Sequence, residues 1–463
     1  MLVGSLAERA PVKVGLVIEE HGKIVDEITA VKDLVEPCFP PKYGILDLFA
    51  GTYHEQVVEL VQERLMNKLV ATLSTRDIID IVAWIRDYHG QLEGLGLEVT
   101  PVLTDNLEQL LQQYNFQTES MLRSWVARIL DEDLKSAPES DTDGRLYTIA
   151  SIDLFKMIEQ QFEVADALGL ERSLFNLAMT VTNVLDDYRS NVATVIAEEW
   201  PRLGVEHICA QVNNSNRCVD GCFDLLDSLQ ERLSPENLEN VEIQRVADDF
   251  TGISKLGATV LSNMVMNDLA LVMQQRLFSV KWYTEEDLVS RCIVATISDY
   301  AEEWKEFLME TYLRKTLSEL MDRLVVAWLA QLLNPKRQDA SGLVIDTGYA
   351  RTVGEDVQLV EECFEELGLP AKMRAPRIDV LRRFHALIET IVDLPPSDTE
   401  ASVRLFEWYQ ESESAVKGLD TDTVARVLRL HSMSDAKFRH QALMRLNGMV
   451  HARDLGDDAD NDA

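Results

Sequence analysis

The sequence predicts an all-α protein, an elongated rod of consecutive helical bundles laid along one long central helix. Three observations carry that prediction. Apolar residues recur at steps of three and four through most of the 463 residues. Proline and glycine gather in a few breaks. The stretch from Glu236 to Val280 contains no proline and holds two adjacent apolar rows: Val246, Phe250, Ile253, Leu256, Val260 and Met264, with Leu261, Val265, Leu269 and Val272 beside them. Ser234-Pro235 supplies a capping hydroxyl and a first-turn proline at its start. A helix of that length would extend roughly 65 Å, about twice the diameter of a small domain, so its neighbours must lie along it.

Taken in order, the first stretch reads two ways. Val12 to Ile18 suits a strand turning at His21-Gly22, and a frayed helix competes with it. Cys38-Phe39-Pro40-Pro41 interrupts any regular element. Tyr53 to Leu73 then places Val57, Leu60, Val61, Leu65, Leu69 and Leu73 on one helical face. Ser74-Thr75-Arg76-Asp77 is a capping box opening a helix that carries Ile78, Ile81, Val82, Ile85 and Tyr88, with Gly90 expected at its end. Thr104 to Leu130 supplies the next helix. Ser136 to Arg145 is polar and acidic, with proline and glycine, and marks a boundary.

Helices are predicted over Tyr147 to Leu168, Ser173 to Trp200 and Val205 to Leu229, leading into the central one. Thr284 to Asp287 reads as a second capping box, and Asn334 to Gly354 as a second break. Pro395-Pro396-Ser397-Asp398-Thr399-Glu400 is a further helix start. The implied domains are an N-terminal bundle over 1–135, a central bundle over 146–335, a C-terminal bundle over 354–453 and an acidic disordered tail over 454–463. No repeat of fixed period supports a solenoid.

Composition bounds the function. A hydrophobic share of 46% is enough for packed cores. With 44 basic against 79 acidic residues the formal charge is −35, which repels nucleic acid and leaves membrane contact indirect or peripheral. Six cysteines scattered over a long chain read as reduced thiols. No apolar run approaches the roughly 20 residues that cross a bilayer.

No catalytic constellation, cofactor loop or small-molecule site emerges. Gly94-Leu95-Gly96 lacks the third glycine of a dinucleotide loop, and His54-Glu55 is followed by Val58 where a zinc protease needs its second histidine. His207, Cys209, Cys218 and Cys222 are the best metal candidates, but no turn folds the first pair back on the second, and buried core thiols are the stronger reading. Glu139-x-Asp141-x-Asp143-Gly144 begins like a calcium loop, but Ala150 stands where a bidentate carboxylate is required. Asn213-Asn214 falls inside an apolar helix, where hydrogen bonding across a bundle is the first reading and a partner site the second. Lys372, Arg374, Arg377, Arg382 and Arg383 form the clearest basic patch, read either as an internally paired face or as a contact for an acidic partner or phosphoinositide headgroup. Trp84, Trp125, Trp200, Trp282 and Trp304 fall in helical register and read as core.

Several segments together resemble one family. They are Val35 to Tyr43 (VEPCFPPKY) with Tyr53-His54, Val82-Ala83-Trp84, Asp143-Gly144 followed by Ile152 to Ala165 (IDLFKMIEQQFEVA), Val212 to Ser215, Lys281-Trp282 and Ile297 to Tyr300. In order and spacing they resemble exocyst complex component three, the Sec-six family, up to about Leu333. The resemblance implies a rod of helical bundles without catalytic residues or cofactors. It also implies a non-catalytic scaffold that tethers secretory vesicles to the plasma membrane before SNARE-mediated fusion. Its partners would be other exocyst subunits and SNARE or SNARE-regulating proteins, and its place the cytoplasm, with recruitment to sites of secretion. On this likeness the chain corresponds to the C-terminal two thirds of such a subunit. A relative acting outside the complex in membrane protrusion is the alternative within the same class, and a helical metal-binding protein the alternative outside it.

Overall fold

Side-chain caps at Ser74, Asp346, Ser397 and Asp420 set four helix starts in the computed structural model, which describes residues 14–62, 72–100, 103–284, 288–334, 345–413, 416, 419–429 and 436–461. α1 spans Val14–Ala30, so the helical alternative holds for the ambiguous first stretch. A π turn and two short 3-10 turns carry the chain through Val31–Tyr43 to Gly44, whose φ of 51° turns it into α2, Ile45–Glu59. Leu65 and Leu69 lie outside the described residues. α3, Thr75–Gly94, opens on the expected capping box: Ser74 Oγ accepts the Asp77 N–H while the Asp77 carboxylate accepts the Ser74 N–H. It runs four residues past Gly90, which keeps ordinary helical geometry. The terminator is Gly96, at φ 77°, where Gly96 N–H bonds Glu93 O and Leu97 N–H bonds Leu92 O.

α4 covers Thr104–Asp133. A two-stranded hairpin, β1 (Glu139–Ser140) and β2 (Leu146–Tyr147), then pairs Glu139 with Tyr147 and Ser140 with Leu146. α5 is Ala150–Asp166, and α6, Glu171–Gln230, is divided at Gly204 (φ 76°, ψ 169°), just beyond Pro201, into the two helices expected there.

The expected single helix from Glu236 to Val280 is shorter and divided. α7 is only Pro235–Leu238, and α8 is Ile243–Gln275. Two asparagines weaken the join: Asn240 Nδ2 donates to Glu236 O, and Asn237 Nδ2 donates to the Glu171 carboxylate. At the other end Leu277 N–H reaches back to Val272 O and Phe278 turns left-handed at φ 57°. Pro235–Gln275 is nonetheless long and apolar enough by length and composition to cross a membrane, contrary to the expectation that no run would be. In the fold its apolar rows pack inward at Val246, Phe250, Ile253, Leu261, Val265 and Leu269, while Asp248, Asp249 and Lys255 face outward.

The remaining helices are α9 (Val280–Thr284), α10 (Leu288–Phe307), α11 (Glu310–Leu332), α12 (Thr347–Glu366), α13 (Ala371–Val392), α14 (Asp398–Ser412), α15 (Thr421–Leu428) and α16 (Ala436–Asn461). The second expected capping box falls largely on 285–287, outside the described residues. Ser397 caps α14 by accepting Glu400 N–H, as its sequence predicted. α16 carries on through most of the acidic segment expected to be a disordered tail, because no proline interrupts it before Asn461.

By its internal packing the chain divides into two compact units. One comprises Met1–Ser136, Ile149–Asn191 and Arg217–Asp249, the other Ala137–Thr148, Val192–Asn216 and Phe250–Ala463. The interleaving arises because the two halves of α6, joined at the non-helical Gly204, each contribute residues to both units. In the first unit Ile28, Val57, Ile78, Ile81, Ile85, Leu92, Leu110, Tyr114 and Leu168 form the core. In the second, Trp304, Leu320, Met321, Val353, Phe364 and Ile388 are buried, and an aromatic group joins Phe278 to Trp282 and Trp328 at centroid distances of 5.1 and 4.9 Å.

Candidate interaction surfaces

The two adjacent amides of α6 act within the fold. Asn213 Nδ2 donates to Leu146 O and to Phe307 O, both at 2.8 Å, and its Oδ1 accepts the Met309 N–H at 3.1 Å. Phe307 closes α10 and Met309 precedes α11, so one side chain satisfies backbone groups that helix ends leave without partners. Asn214 faces Thr148, donating to its hydroxyl at 2.5 Å and accepting its N–H at 3.3 Å. Arg145 Nη1 adds a bond to Glu306 O at 3.2 Å and one to Lys305 O. The hairpin is thereby fastened beside the α10–α11 turn, which is the bundle-bonding role read first for these amides.

The segment that began like a calcium loop is the tip of that hairpin. Asp141 Oδ1 accepts the N–H groups of Asp143 and Arg145, both at 2.9 Å, and Gly144 takes φ 83°. The cysteines read as metal candidates are core residues. Burial pushes the Cys222 thiol up to about 12 and raises those of Cys209 and Cys218 as well, holding all three in the neutral thiol form. His207 is buried as well. Among the described residues no group of three or more histidine, cysteine or acidic side chains is placed to hold a metal. His54 Nδ1 lies 3.1 Å from the Tyr88 hydroxyl inside the first unit's core.

The basic residues of α13 are spread around the helix, and most have acidic partners. Arg374 is buried, donating to Leu369 O at 2.7 Å and pairing with Glu365 at 3.1 Å. Arg377 forms a two-pronged pair with Asp322 of α11, with Nε 2.7 Å from Oδ1. Arg382 pairs with Glu361, and Arg383 lies 3.8 Å from Asp379 and 3.7 Å from Glu411. Lys372 stands exposed. Beside this face α12 and α13 border an open acidic cleft of about 870 Å³ that includes Glu355, Glu362, Glu389 and Asp393.

Exposed apolar surface was not anticipated. In the Val35-to-Tyr43 motif and the start of α2, Phe39, Tyr43 and Leu48 are 47%, 58% and 63% exposed. The signal was there in Pro40-Pro41, which removes backbone donors and keeps the segment out of the helical core. Of the five register tryptophans, Trp282 and Trp304 are fully buried and Trp84, Trp125 and Trp200 half-buried.

A family model described as Exocyst complex component Sec6 matches residues 5–417. Exocyst complex component sec6 of Schizosaccharomyces pombe is 23% identical over 400 residues, covering 78% of this chain and 52% of that protein. Exocyst complex component 3 of Drosophila melanogaster is 21% identical over 417 residues, covering 84% and 55%. The chain thus spans about half the length of these relatives, less than the two thirds expected. Among solved structures, the C-terminal domain of the exocyst subunit Sec6p superposes with a TM-score of 0.62 at 16% identity, covering 77% of this chain and 94% of that one. M-Sec superposes with a TM-score of 0.58 at 14% identity, covering 95% and 74%. Both share the all-helical bundle fold, and with the family match over most of its length the chain belongs to the Sec6 family of exocyst complex components.

Proposed function

We propose that this chain serves as a non-catalytic scaffold of the exocyst, tethering secretory vesicles to the plasma membrane ahead of SNARE-mediated fusion. The family match over residues 5–417 is the observation that carries the reading. The fold supports it: packed helices with buried thiols and internally bonded amides offer surfaces for partners. Its partners on this reading are other exocyst subunits and SNARE or SNARE-regulating proteins, met in the cytoplasm at sites of secretion. Weak contacts at several surfaces would add through multivalency. A charge of −35 favours basic partner surfaces and makes the association salt-sensitive. On α13, exposed Lys372 and the outer side of Arg382 are the positions left to meet an acidic partner or a phosphoinositide headgroup.

The test is to tag the chain in its native cell, recover it at low and high salt, and identify co-purifying proteins by mass spectrometry. Recovery of other exocyst subunits at low salt, reduced at high salt, is the expected result. Their absence at both salts, with helical content intact by circular dichroism, overturns the reading for this chain and favours a role outside the complex.

A further inference from the structure

We propose that the groove between α5 and the last third of α6 is a docking site for a basic amphipathic helix of a partner protein. The two helices run in parallel there. Phe155 meets Gly221 and Asp166 pairs with Arg232, each pair 66 residues apart, so the register holds over eleven residues, roughly 16 Å of helix. At Gly221 a β-carbon would fall 2.7 Å from the Phe155 ring, so the ring seats directly on the α6 backbone and forms a floor. The opening holds about 680 Å³, with Ile152 and Leu225 beside that floor. Ile152 is 52% exposed although it opens a stretch whose Leu154, Met157, Ile158 and Phe162 are buried.

Two further features point to an occupant. Ser151 Oγ lines the groove, is buried and has no hydrogen-bond partner, which costs free energy until a donor or acceptor reaches it. The rim is acidic. Glu159 and Glu163 stand exposed on one side and Asp224 on the other, against Lys156 alone. Arg232 is engaged by Asp166, and Arg217 and Asp220 cancel in formal charge. An apolar floor between helices with an acidic rim matches a third helix that places apolar residues at i, i+3 or i+4, and i+7 and carries lysine or arginine on its flanks. A second copy of this chain, at −35, is repelled by the same rim, as is an anionic lipid surface. The site goes beyond the tethering reading and does not depend on it.

The probe is a fluorescent synthetic helix with a leucine stripe and lysine flanks, titrated against the full chain by anisotropy beside a glutamate-flanked copy. The lysine peptide should bind saturably and the glutamate peptide should not. The double variant Glu159→Lys, Glu163→Lys should weaken binding by about tenfold or more, as truncated charge pairs at an interface do. The control Asp299→Lys, Glu302→Lys, equal in charge and placed on α10, should change it little. Ile152→Asp, at an exposed site that spares the core, should also abolish binding. Equal losses from both charge-reversed pairs would reduce the effect to general attraction, and unchanged binding in Ile152→Asp would remove the groove from it. Either result overturns the proposal. So would a dimer in sedimentation that Ile152→Asp dissolves, which would give the groove to a second copy.

Discussion

Gly257 faces Val212 so closely that a β-carbon at position 257 would fall 2.2 Å from Val212 Cγ2. α6 and α8 approach through this pair, and the absence of a side chain on α8 allows it. Gly257→Ala should therefore destabilise the protein by about 1–3 kcal/mol as an overpacked contact, although alanine is the better helix former. Val212→Ala in the same chain should recover most of that loss. Urea unfolding of the two single variants and the pair measures the coupling, and simple additivity would show that the contact is not the cause.

Asn213 supplies three bonds to backbone groups that have few other sources of partners. Asn213→Ala leaves Leu146 O, Phe307 O and Met309 N–H to water or to nothing, and should cost about 2–4 kcal/mol. Asn213→Asp keeps the acceptor for Met309 but turns a charge toward two carbonyl oxygens, so it should be the worse of the two. Hydrogen exchange at the Met309 amide should rise in both.

Phe278 holds a left-handed backbone, φ 57°, with its ring among Trp282, Trp328 and Tyr349. Truncation to alanine should cost about 3–5 kcal/mol through the lost ring. Truncation to glycine loses the same ring but relieves the backbone, so Phe278→Gly should be about 1 kcal/mol more stable than Phe278→Ala. That order reverses the usual helix preference, and thermal unfolding of the two variants decides it.

These cases show which parts of the fold the sequence carried openly. Caps at Ser74 and Ser397 were legible because hydroxyl and amide stand three residues apart along one chain. Helix ends were less so: Gly90 and Gly96 look alike on paper, and only the backbone bonds around Leu97 pick out the second. The partners of Arg377 and Arg382, Asp322 and Glu361, come from neighbouring helices, so a basic patch in sequence became a largely neutralised face. The α5–α6 groove was hidden for a different reason. Ile152 and Phe155 share the spacing of core residues, and periodicity distinguishes the faces of a helix without telling which face has a neighbour.

Tyr300 donates its hydroxyl to Asp268 Oδ2 at 2.6 Å, and that bond, followed by burial, pushes the phenol up to about 12. Because the folded value lies above the ordinary one of 10.0, the stabilisation is complete below pH 10.0 and is lost as pH rises toward about 12. Asp268→Asn keeps an acceptor without the charge and should bring the Tyr300 phenolate in at lower pH. Phenolate absorbance in the two proteins measures this. An unchanged titration would mean that Asp268 does not set it.

The cysteines give a prediction about reactivity. Cys38 and Cys292 are exposed, whereas Cys209, Cys218, Cys222 and Cys363 are buried with their thiols raised by desolvation. Since the thiolate is the nucleophile, burial slows reaction twice, by blocking access and by keeping the proton on sulfur. Under native conditions a maleimide should therefore modify two of the six cysteines quickly, and peptide mapping should place the label on Cys38 and Cys292. Zinc ions added in excess should leave both the fast and the slow phases unchanged, because the neutral buried thiols of Cys209, Cys218 and Cys222 bind metal only after losing protons their surroundings hold in place. Protection of those three by zinc, or their labelling at the rate of Cys38, would show the core around α6 to be open in solution.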